Sequence, residues 1–279
     1  MLTPPYALGV IGSGHIAAVI VHRLVQTGYY SPDRIIAAPS RSAAAHPLPV
    51  RMAADGREVV AKSRRLLISV RPQNFPEMAS QIGDLVTADH LLISVMAGIT
   101  TDTVAAAFPR IAARVVRTMP NLPFGLGYGV TGVCRGRHAT QEDIESTRHL
   151  FNAGGVTIEL ADEALMDAVT AVAGSGPAYF YYFVETMMDA GVAAGLSPQD
   201  AQTLAAYACM GAGAMLLDRK ASPQELRAAV TSRGGTTEAA MEVLTLGHVA
   251  ISVKQAVLAA FRRGQELGQR HNAGGSPTS

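Results

Sequence analysis

A glycine pair flanked by hydroxyl residues stands directly before a helical pattern late in the chain, in Ser232-Arg233-Gly234-Gly235-Thr236-Thr237. Glycines leave backbone N–H groups sterically open, and the hydroxyls add donors with little bulk. Because the first N–H groups of a helix have no partner within it, such a helix start can bind an anion. An ordinary helix cap is the alternative interpretation.

Two earlier segments have the same character. "GSGPAY" places Ser175 and Gly176 before a long helical pattern, with Pro177 near the first turn, where proline is tolerated. "MPNLP" places Asn121 directly after a strand-like run. Each can be a plain helix start or turn when it is taken alone.

A glycine-rich turn near the N-terminus has the spacing of a dinucleotide-binding site. Gly12-Ser13-Gly14-His15-Ile16-Ala17 follows an apolar run and opens a helical pattern, which is the context that the G-x-G-x-x-A fingerprint requires. The first glycine permits the tight turn, the second lets backbone approach a pyrophosphate, and the small third residue lets helix and strand pack closely. We predict that Gly12, Ser13, Gly14, His15 and Ile16 bind the cofactor, although a tight turn without a ligand has the same pattern.

The end of the second strand-like run indicates which dinucleotide is bound. It reads Ala37-Ala38-Pro39-Ser40-Arg41-Ser42 and contains no acidic residue. NAD sites commonly place Asp or Glu here to bond the ribose 2′-hydroxyl. Ser40 and Arg41 suit a 2′-phosphate instead, because a guanidinium offers paired donors. The pattern predicts NADPH as the cofactor, with NADH as a weaker alternative.

Two further loops follow strand-like runs, "SVRPQ" at 69–73 and "SVMAG" at 94–98. Loops at the carboxyl ends of parallel strands line the ligand crevice of such sheets. Strand-ending turns without a ligand are the alternative. The predicted contacts to the ribose and nicotinamide are Val70, Arg71, Pro72, Met96, Ala97 and Gly98.

Apolar runs of strand length alternate with helical patterns in the first half of the chain, which predicts a parallel sheet covered by helices on both faces. Residues 120–136 are rich in Gly and Pro, and Thr140 is expected to cap the helix that follows. The predicted strands lie within 6–12, 34–38, 65–70, 90–96, 114–119 and 156–160.

No strand pattern follows Asp162, and the remaining chain has long Ala-rich helical patterns. We therefore expect a dinucleotide-binding domain at 1–160, a helical domain at 161–270 and a flexible tail at 271–279. Two uncharged windows, 168–184 and 201–217, are expected to be helices buried in a core or a subunit interface, not membrane spans. The apolar circumference of these helices predicts a homo-oligomer.

Composition excludes several classes of function. A chain of 279 residues with 48% hydrophobic and 16% charged residues can bury a large core. Its net charge of +1 argues against nucleic-acid or anionic-membrane partners. Two distant cysteines, Cys134 and Cys209, fit neither a disulfide framework nor a zinc site, so no metal is expected. The N-terminus lacks a signal-peptide pattern, which favours a cytoplasmic protein.

Taken together and in this order, the motifs resemble the pyrroline-5-carboxylate reductase family. They are the G-x-G-x-x-A start, V-R-P-Q, M-A-G, MPN-x-P, GSGPAY, the DAGV–GL pair and TS-x-GGTT, and they span nearly the whole chain. The resemblance implies a Rossmann domain followed by a helical substrate and dimerisation domain, at least a homodimer, and reduction of the cyclic imine 1-pyrroline-5-carboxylate to L-proline. Arg71, His15, Arg233 and Leu122 depart from the residues common in the family.

The resemblance also implies roles for the late glycine-rich loop. Ser232 and the amides of Gly235, Thr236 and Thr237 would hold the substrate carboxylate, with Gly234 keeping the loop open. The catalytic residues would be Thr237, whose hydroxyl bonds the ring nitrogen, and Ser232. Ser175 and Gly176 would face the same substrate, and Asn121 would bond backbone near the cofactor.

Imine reduction suits these residues better than alcohol oxidation does. An alcohol dehydrogenase needs a base, commonly His or Lys, and the segment following "GSGP" contains no lysine. A protonated C=N needs mainly positioning, which can lower a barrier by several kcal/mol. Three alternatives stay open: a six-membered cyclic imine carboxylate as substrate, a non-catalytic NADPH-binding protein and, least favoured, a β-hydroxyacid dehydrogenase.

Overall fold

The computed structural model describes residues 4–39, 47–218 and 221–272, and the chain divides into two compact units. The first unit combines Met1–Gly174 with Ala260–Ser279, and the second is Ser175–Ala259.

In the described part of the first unit, eight strands form one sheet: β1 (Leu8–Ile11), β2 (Ile35–Ala37), β3 (Arg51–Met52), β4 (Arg65–Ile68), β5 (Leu91–Ser94), β6 (Arg114–Pro120), β7 (Gly129–Arg135) and β8 (Gly155–Glu159). Their order is β3-β2-β1-β4-β5-β6-β7-β8, and only β6 and β7 pair antiparallel. The predicted fold class, a Rossmann-like sheet domain followed by a helical region, is confirmed.

Helices cover both faces of this sheet, which is why its central strands are apolar without alternation. Val10 and Leu67 contribute to one core, whereas the next residues along the same strands, Ile11 and Ile68, contribute to the other. Successive side chains of a strand point to opposite faces, so each strand fills both cores. The helices are α1 (His15–Gln26), α2 (Gly56–Lys62), α3 (Phe75–Ile82), α4 (Thr101–Ala106), α5 (Gln141–Phe151) and α6 (Met166–Val169).

The start of α5 is set by a reciprocal cap, as the sequence predicted. The Thr140 hydroxyl accepts the N–H of Asp143 at 3.2 Å, and the Asp143 carboxylate accepts the N–H of Thr140 at 2.8 Å. This capping box satisfies two N–H groups that would otherwise lack partners. The Asp143 carboxylate also accepts a hydrogen bond from Arg114 of β6 at 3.1 Å, which ties the helix to the sheet.

Strand β7 lies in the Gly- and Pro-rich stretch at 120–136 and was not predicted. Its glycines allow close packing and do not mark turns. A side chain at Gly129 would start 2.6 Å from the Phe124 backbone, and one at Gly132 would start 2.9 Å from the Val169 side chain. Glycine inside a strand commonly marks such a close approach. The short strand β3 was not predicted either.

The first unit extends beyond the expected boundary at residue 160. The last strand does end at Glu159, but the next segment packs on the sheet, with Met166 fully buried against β7. The chain returns to this unit at Ala260, within the last helix. That helix runs to Asn272, so residues 271 and 272 of the expected tail are helical, and residues 273–279 lie outside the described residues.

The second unit is helical. Its helices are α7 (Gly176–Ala193), α8 (Pro198–Leu217), α9 (Pro223–Ala229), α10 (Thr236–Leu246) and the first part of α11 (Val249–Asn272). A side chain at Gly191 would start 3.2 Å from Ala201, so α7 and α8 pack closely. No single helix in the described ranges is long and apolar enough to cross a membrane, although the bent pair Thr236–Leu246 and Val249–Arg270 passes by length and composition.

The expected burial of the two uncharged windows does not occur within one chain. Only Ala201 and Ala205 are buried in α8, while Phe180 and Tyr182 of α7 are 60% and 69% exposed. Such apolar exposure on neighbouring helices marks an interaction surface.

His90, which directly precedes β5, is a buried polar group that links three segments. Its Nδ1 accepts the Thr87 N–H at 3.0 Å, and its Nε2 lies 3.1 Å from the Val60 carbonyl oxygen. The accepting Nδ1 implies that Nε2 carries the proton. Burial, reinforced by the nearby Arg64 cation, holds the pKa of His90 below its usual value. The folded state therefore favours the neutral imidazole.

This arrangement predicts acid sensitivity. The stabilisation from neutral His90 is fully present above the unfolded-state pKa of about 6.5 and is lost as the pH falls below it. We expect the unfolding free energy of the wild type to fall more between neutral and mildly acidic pH than that of His90→Gln, measured by denaturant titration. The exposed His138→Gln variant should keep the wild-type slope. Equal slopes for His90→Gln and wild type would contradict this account.

Candidate functional site

The turn between β1 and α1 contains two glycines that are required for different reasons. Gly12 has a φ of +97°, and a side chain there would collide with the Ser69 carbonyl. The protein's own packing therefore requires Gly12. Gly14 has a φ of −72°, and a side chain there would meet no protein atom within 4 Å. Nothing in the described protein requires Gly14; the fingerprint requires glycine at this position so that the backbone can approach a pyrophosphate.

The start of α1 is suited to an anion. Gly14 is the N-cap of α1 and has no side chain with which to cap the first-turn N–H groups. Ala17, the small third residue of the fingerprint, is fully buried between helix and sheet. Ser13 is buried, whereas Ile16 is half-buried and His15 is exposed. Helix α1 thus directs its N-terminus, with its positive partial charge, to the carboxyl edge of β1.

The loops after β4 and β5 lie at the same sheet edge. The N–H of Ser69 bonds the carbonyl of Ile11 at 2.8 Å, and the N–H of Val95 bonds that of Ile68 at 3.1 Å. Arg71 and Ala97 are exposed there. Three consecutive strand ends therefore meet where the fingerprint turn lies.

The residues predicted to bind the cofactor in these loops differ in burial, and their contacts to it stay predictions. Met96 is 2% exposed and belongs to the core. Val70 is half-buried against the same core, and Pro72 opens a short 3-10 turn. Gly98 is buried with a φ of +74°. Ser40 and Arg41 lie outside the described residues.

Asn121 supports the site through the backbone. Its amide nitrogen donates to the Ala173 carbonyl at 3.1 Å, and its amide oxygen accepts the Val130 N–H at 3.0 Å. The side chain thereby joins β7 to the π-helical turn Thr170–Gly174, and π-turns are frequent at functional sites. A direct contact between Asn121 and the cofactor stays a prediction.

In the second unit, the two glycine-rich segments open helices as predicted. Ser175 is the N-cap of α7, Gly176 is its first residue, and Gly235 is the N-cap of α10. Neither cap residue makes a side-chain cap hydrogen bond. Thr236 and Thr237 occupy the first two positions of α10, where backbone N–H groups have no partner within the helix.

One of the three backbone N–H groups predicted to bind the carboxylate in residues 232–237 has a partner within the loop. The Gly235 N–H donates to the Ser232 carbonyl at 3.0 Å, so it is not available to a ligand. A side chain at Gly235 would start 2.5 Å from the Ser232 hydroxyl oxygen and 3.0 Å from the Ser232 carbonyl oxygen, so the turn leaves little room for one. In the described part of the chain, the N–H groups of Thr236 and Thr237 have no hydrogen-bond partner. Those two amides are the donors that the loop offers.

Glu238 is a residue of this loop that the sequence analysis missed. Its carboxylate accepts the Gly234 N–H at 2.7 Å and so fixes the turn before α10. Its position three residues after the N-cap is the signal that indicates this role, since Glu commonly bonds backward from there.

A buried ionic cluster in the first unit was also missed. Arg117 of β6 is 4% exposed and donates to the Glu163 carboxylate at 2.9 Å, with Asp167 at 4.0 Å. Burial raises the pKa of Asp167, against the lowering effect of Arg117. Burial, reinforced by the negative charge of Glu163, raises the pKa of the neighbouring Cys134 thiol to about 11, so Cys134 is unreactive at neutral pH.

Within residues 4–39, 47–218 and 221–272, no group of three or more His, Cys, Asp or Glu side chains is placed to hold a metal ion.

Comparison with known proteins identifies the family. A model described as pyrroline-5-carboxylate reductase dimerisation matches residues 163–267, and one described as NADP oxidoreductase, coenzyme F420-dependent, matches residues 7–98. The chain is 34% identical to the pyrroline-5-carboxylate reductase of Synechocystis sp., covering 94% of this chain and 98% of that protein. It is 36% identical to that of Pisum sativum, covering 96% and 98%.

A solved structure has the same fold along its length. The pyrroline-5-carboxylate reductase of Coxiella burnetii is 29% identical with a TM-score of 0.84, covering 94% of this chain and 98% of that one. Identity at this level over nearly the full length of both sequences shows that this chain belongs to the pyrroline-5-carboxylate reductase family.

Proposed function

We propose that this chain reduces 1-pyrroline-5-carboxylate to L-proline with NADPH. The observation that carries the proposal is the start of α10, where a glycine cap leaves the N–H groups of Thr236 and Thr237 without partners among the described residues. Two adjacent amides at a helix N-terminus suit a carboxylate. The names of the full-length relatives support a substrate that carries one.

The chain's residues would act mainly by positioning. When bound, NADPH would supply a hydride for the carbon of a C=N bond whose nitrogen is already protonated, so that a neutral amine results. Thr236 and Thr237 would hold the substrate carboxylate through their N–H groups, with the Ser232 hydroxyl beside them. The Thr237 hydroxyl would bond the ring nitrogen and orient the imine. No base is needed, which agrees with the absence of lysine from α7.

NADPH is proposed in preference to NADH because no carboxylate follows β2. The residues after Ala37 are Ala38 and Pro39, neither of which can bond a ribose hydroxyl through its side chain. Arg41 follows shortly after and is proposed to pair with the 2′-phosphate. The family-model match to residues 7–98, described as an NADP oxidoreductase, supports this choice.

A homodimer is proposed to cover the apolar surface of the second unit. Exposed apolar side chains lie on α7, α8 and α10, and a dimerisation family model covers this region. Dimers bury such surfaces, which a lone chain would leave in water. The most exposed of these side chains are Tyr182, Tyr207, Leu217, Val243 and Leu246.

The cytoplasmic location stays a prediction.

The phosphate site predicts opposite outcomes for the two fingerprint glycines. Gly14→Ala should fold normally but weaken NADPH binding by about tenfold or more, because its methyl group would occupy the path of the pyrophosphate. Gly12→Ala should lose stability, because it collides with protein backbone. Fluorescence titration with NADPH and thermal unfolding would separate the two effects. NADPH affinity unchanged in Gly14→Ala would remove the α1 start from the site.

The substrate loop predicts a defect in turnover. The wild type should oxidise NADPH when 1-pyrroline-5-carboxylate is added, and Thr237→Ala should lower kcat by roughly tenfold or more while leaving NADPH affinity unchanged. Thr237→Ser should restore much of the rate because it keeps the hydroxyl. Thr245→Ala, on the exposed side of the same helix, is the matched control.

Normal turnover in Thr237→Ala would refute the role of that hydroxyl. A wild type that oxidises NADPH only with the six-membered homologue would instead shift the substrate by one ring methylene, a change worth about 1–3 kcal/mol of discrimination.

Arg41 predicts cofactor preference. The ratio of kcat/KM with NADPH to that with NADH should fall by about tenfold or more in Arg41→Ala, because a charge-assisted pair to the 2′-phosphate is lost. Arg51→Ala, which alters an exposed arginine on β3, should keep the ratio. A ratio unchanged by Arg41→Ala would exclude Arg41 from the cofactor site.

A further inference from the structure

The loop that joins β5 to α4, residues 95–100, is held at two points by the part of the chain that follows the sheet. This loop includes Ala97 and Gly98, which are predicted to line the nicotinamide side of the cofactor. Both holding points lie within the first unit.

At the first point, the last helix lies directly on the loop. Gly98 is buried, and a side chain there would start 3.2 Å from both the Cα and the N of Gly268. Gly268 is itself buried, although its neighbours Leu267 and Gln269 are exposed. Two glycines thus permit backbone-to-backbone contact between α11 and the loop. Gly264 lies one turn earlier on the same face of α11.

At the second point, a carboxylate holds the start of α4. Glu163 accepts the N–H of Thr101 at 2.9 Å and its hydroxyl at 2.6 Å. Arg117 donates to the same carboxylate at 2.9 Å and keeps it in place. Asp167 lies beside Arg117, and a side chain at Gly264 would start 3.5 Å from Asp167. The ionic cluster therefore connects the start of α4 to α11.

We propose that Gly268 and Glu163 are positioning residues for NADPH, which hold the 95–100 loop in the shape that binds the nicotinamide half of the cofactor. This rests on the proposed function in so far as the loop contacts NADPH. A loop that is already ordered spares the binding step the cost of ordering it. Neither residue needs to touch the cofactor, since both act through the backbone of the loop.

Gly268→Val tests this proposal, with Gly264→Ala as a control one turn away on α11. Because the Gly268 backbone already lies 3.2 Å from where a side chain at Gly98 would start, valine at 268 should displace the loop, whereas alanine at 264 makes an ordinary contact with Asp167. In Gly268→Val, the Kd and KM for NADPH should rise by about tenfold or more, as expected when overpacking shifts a contact. The KM for the imine and kcat at saturating NADPH should change by less than about threefold. Gly264→Ala should match the wild type.

Glu163→Gln provides a second variant that keeps size and shape. It removes the charge that pairs with Arg117 and one acceptor for Thr101, so the Kd for NADPH should rise in a protein whose thermal unfolding remains cooperative. An unchanged Kd in both Gly268→Val and Glu163→Gln would overturn the proposal.

Measuring the Kd without imine separates this proposal from the proposed reaction. A wild type that binds NADPH without reducing the imine would refute the reaction while the effect on Kd still tests the loop. Weaker binding in both variants but not in Gly264→Ala would support the positioning role.

Discussion

The rest of the structure depends on the starts of two helices, where the N-cap residue has no side chain to bond the first backbone N–H groups. Helices α1 and α10 both have glycine as the N-cap and both lack a side-chain cap bond. Five other helices are built differently: α5 and α9 carry reciprocal capping boxes, and a side chain caps each of α2, α4 and α8. Leaving first-turn amides open costs stability unless a ligand satisfies them. The start of α1 suits a diphosphate and the start of α10 suits a carboxylate. These are the anionic groups of a nicotinamide dinucleotide and of an acidic substrate.

Some glycines are required by the packing of the protein itself, whereas another leaves space that a ligand can fill. Gly12 and Gly98 have backbone conformations and close neighbours that only glycine tolerates. Gly14 has neither, so the protein alone would accept a side chain there. The reaction proposed for the site likewise needs few catalytic side chains. Reduction of a protonated imine needs a held carboxylate and an oriented ring more than it needs a general base.

The sequence predicted the local features well because local patterns determine them. The apolar strands, the fingerprint turn and the Thr140 cap all follow from neighbouring residues and are present in the structure. Strand β7 was missed because its glycines are required by Phe124 and Val169, which only the fold brings close. The extent of the first unit was missed for the same reason, since residues after 160 and after 260 pack on a distant sheet. The Gly235 N–H was predicted to bind the ligand because the residue types of the loop do not indicate that this N–H bonds the Ser232 carbonyl.

The central claim is that the start of α10 holds the carboxylate of a proline-like ligand. A crystal structure of the chain grown with NADP⁺ and L-proline measures this directly. The account predicts the ligand carboxylate within about 3 Å of the N–H groups of Thr236 and Thr237, which is the distance of a hydrogen bond. A proline carboxylate held elsewhere, with residues 232–237 contacting no ligand, would contradict it.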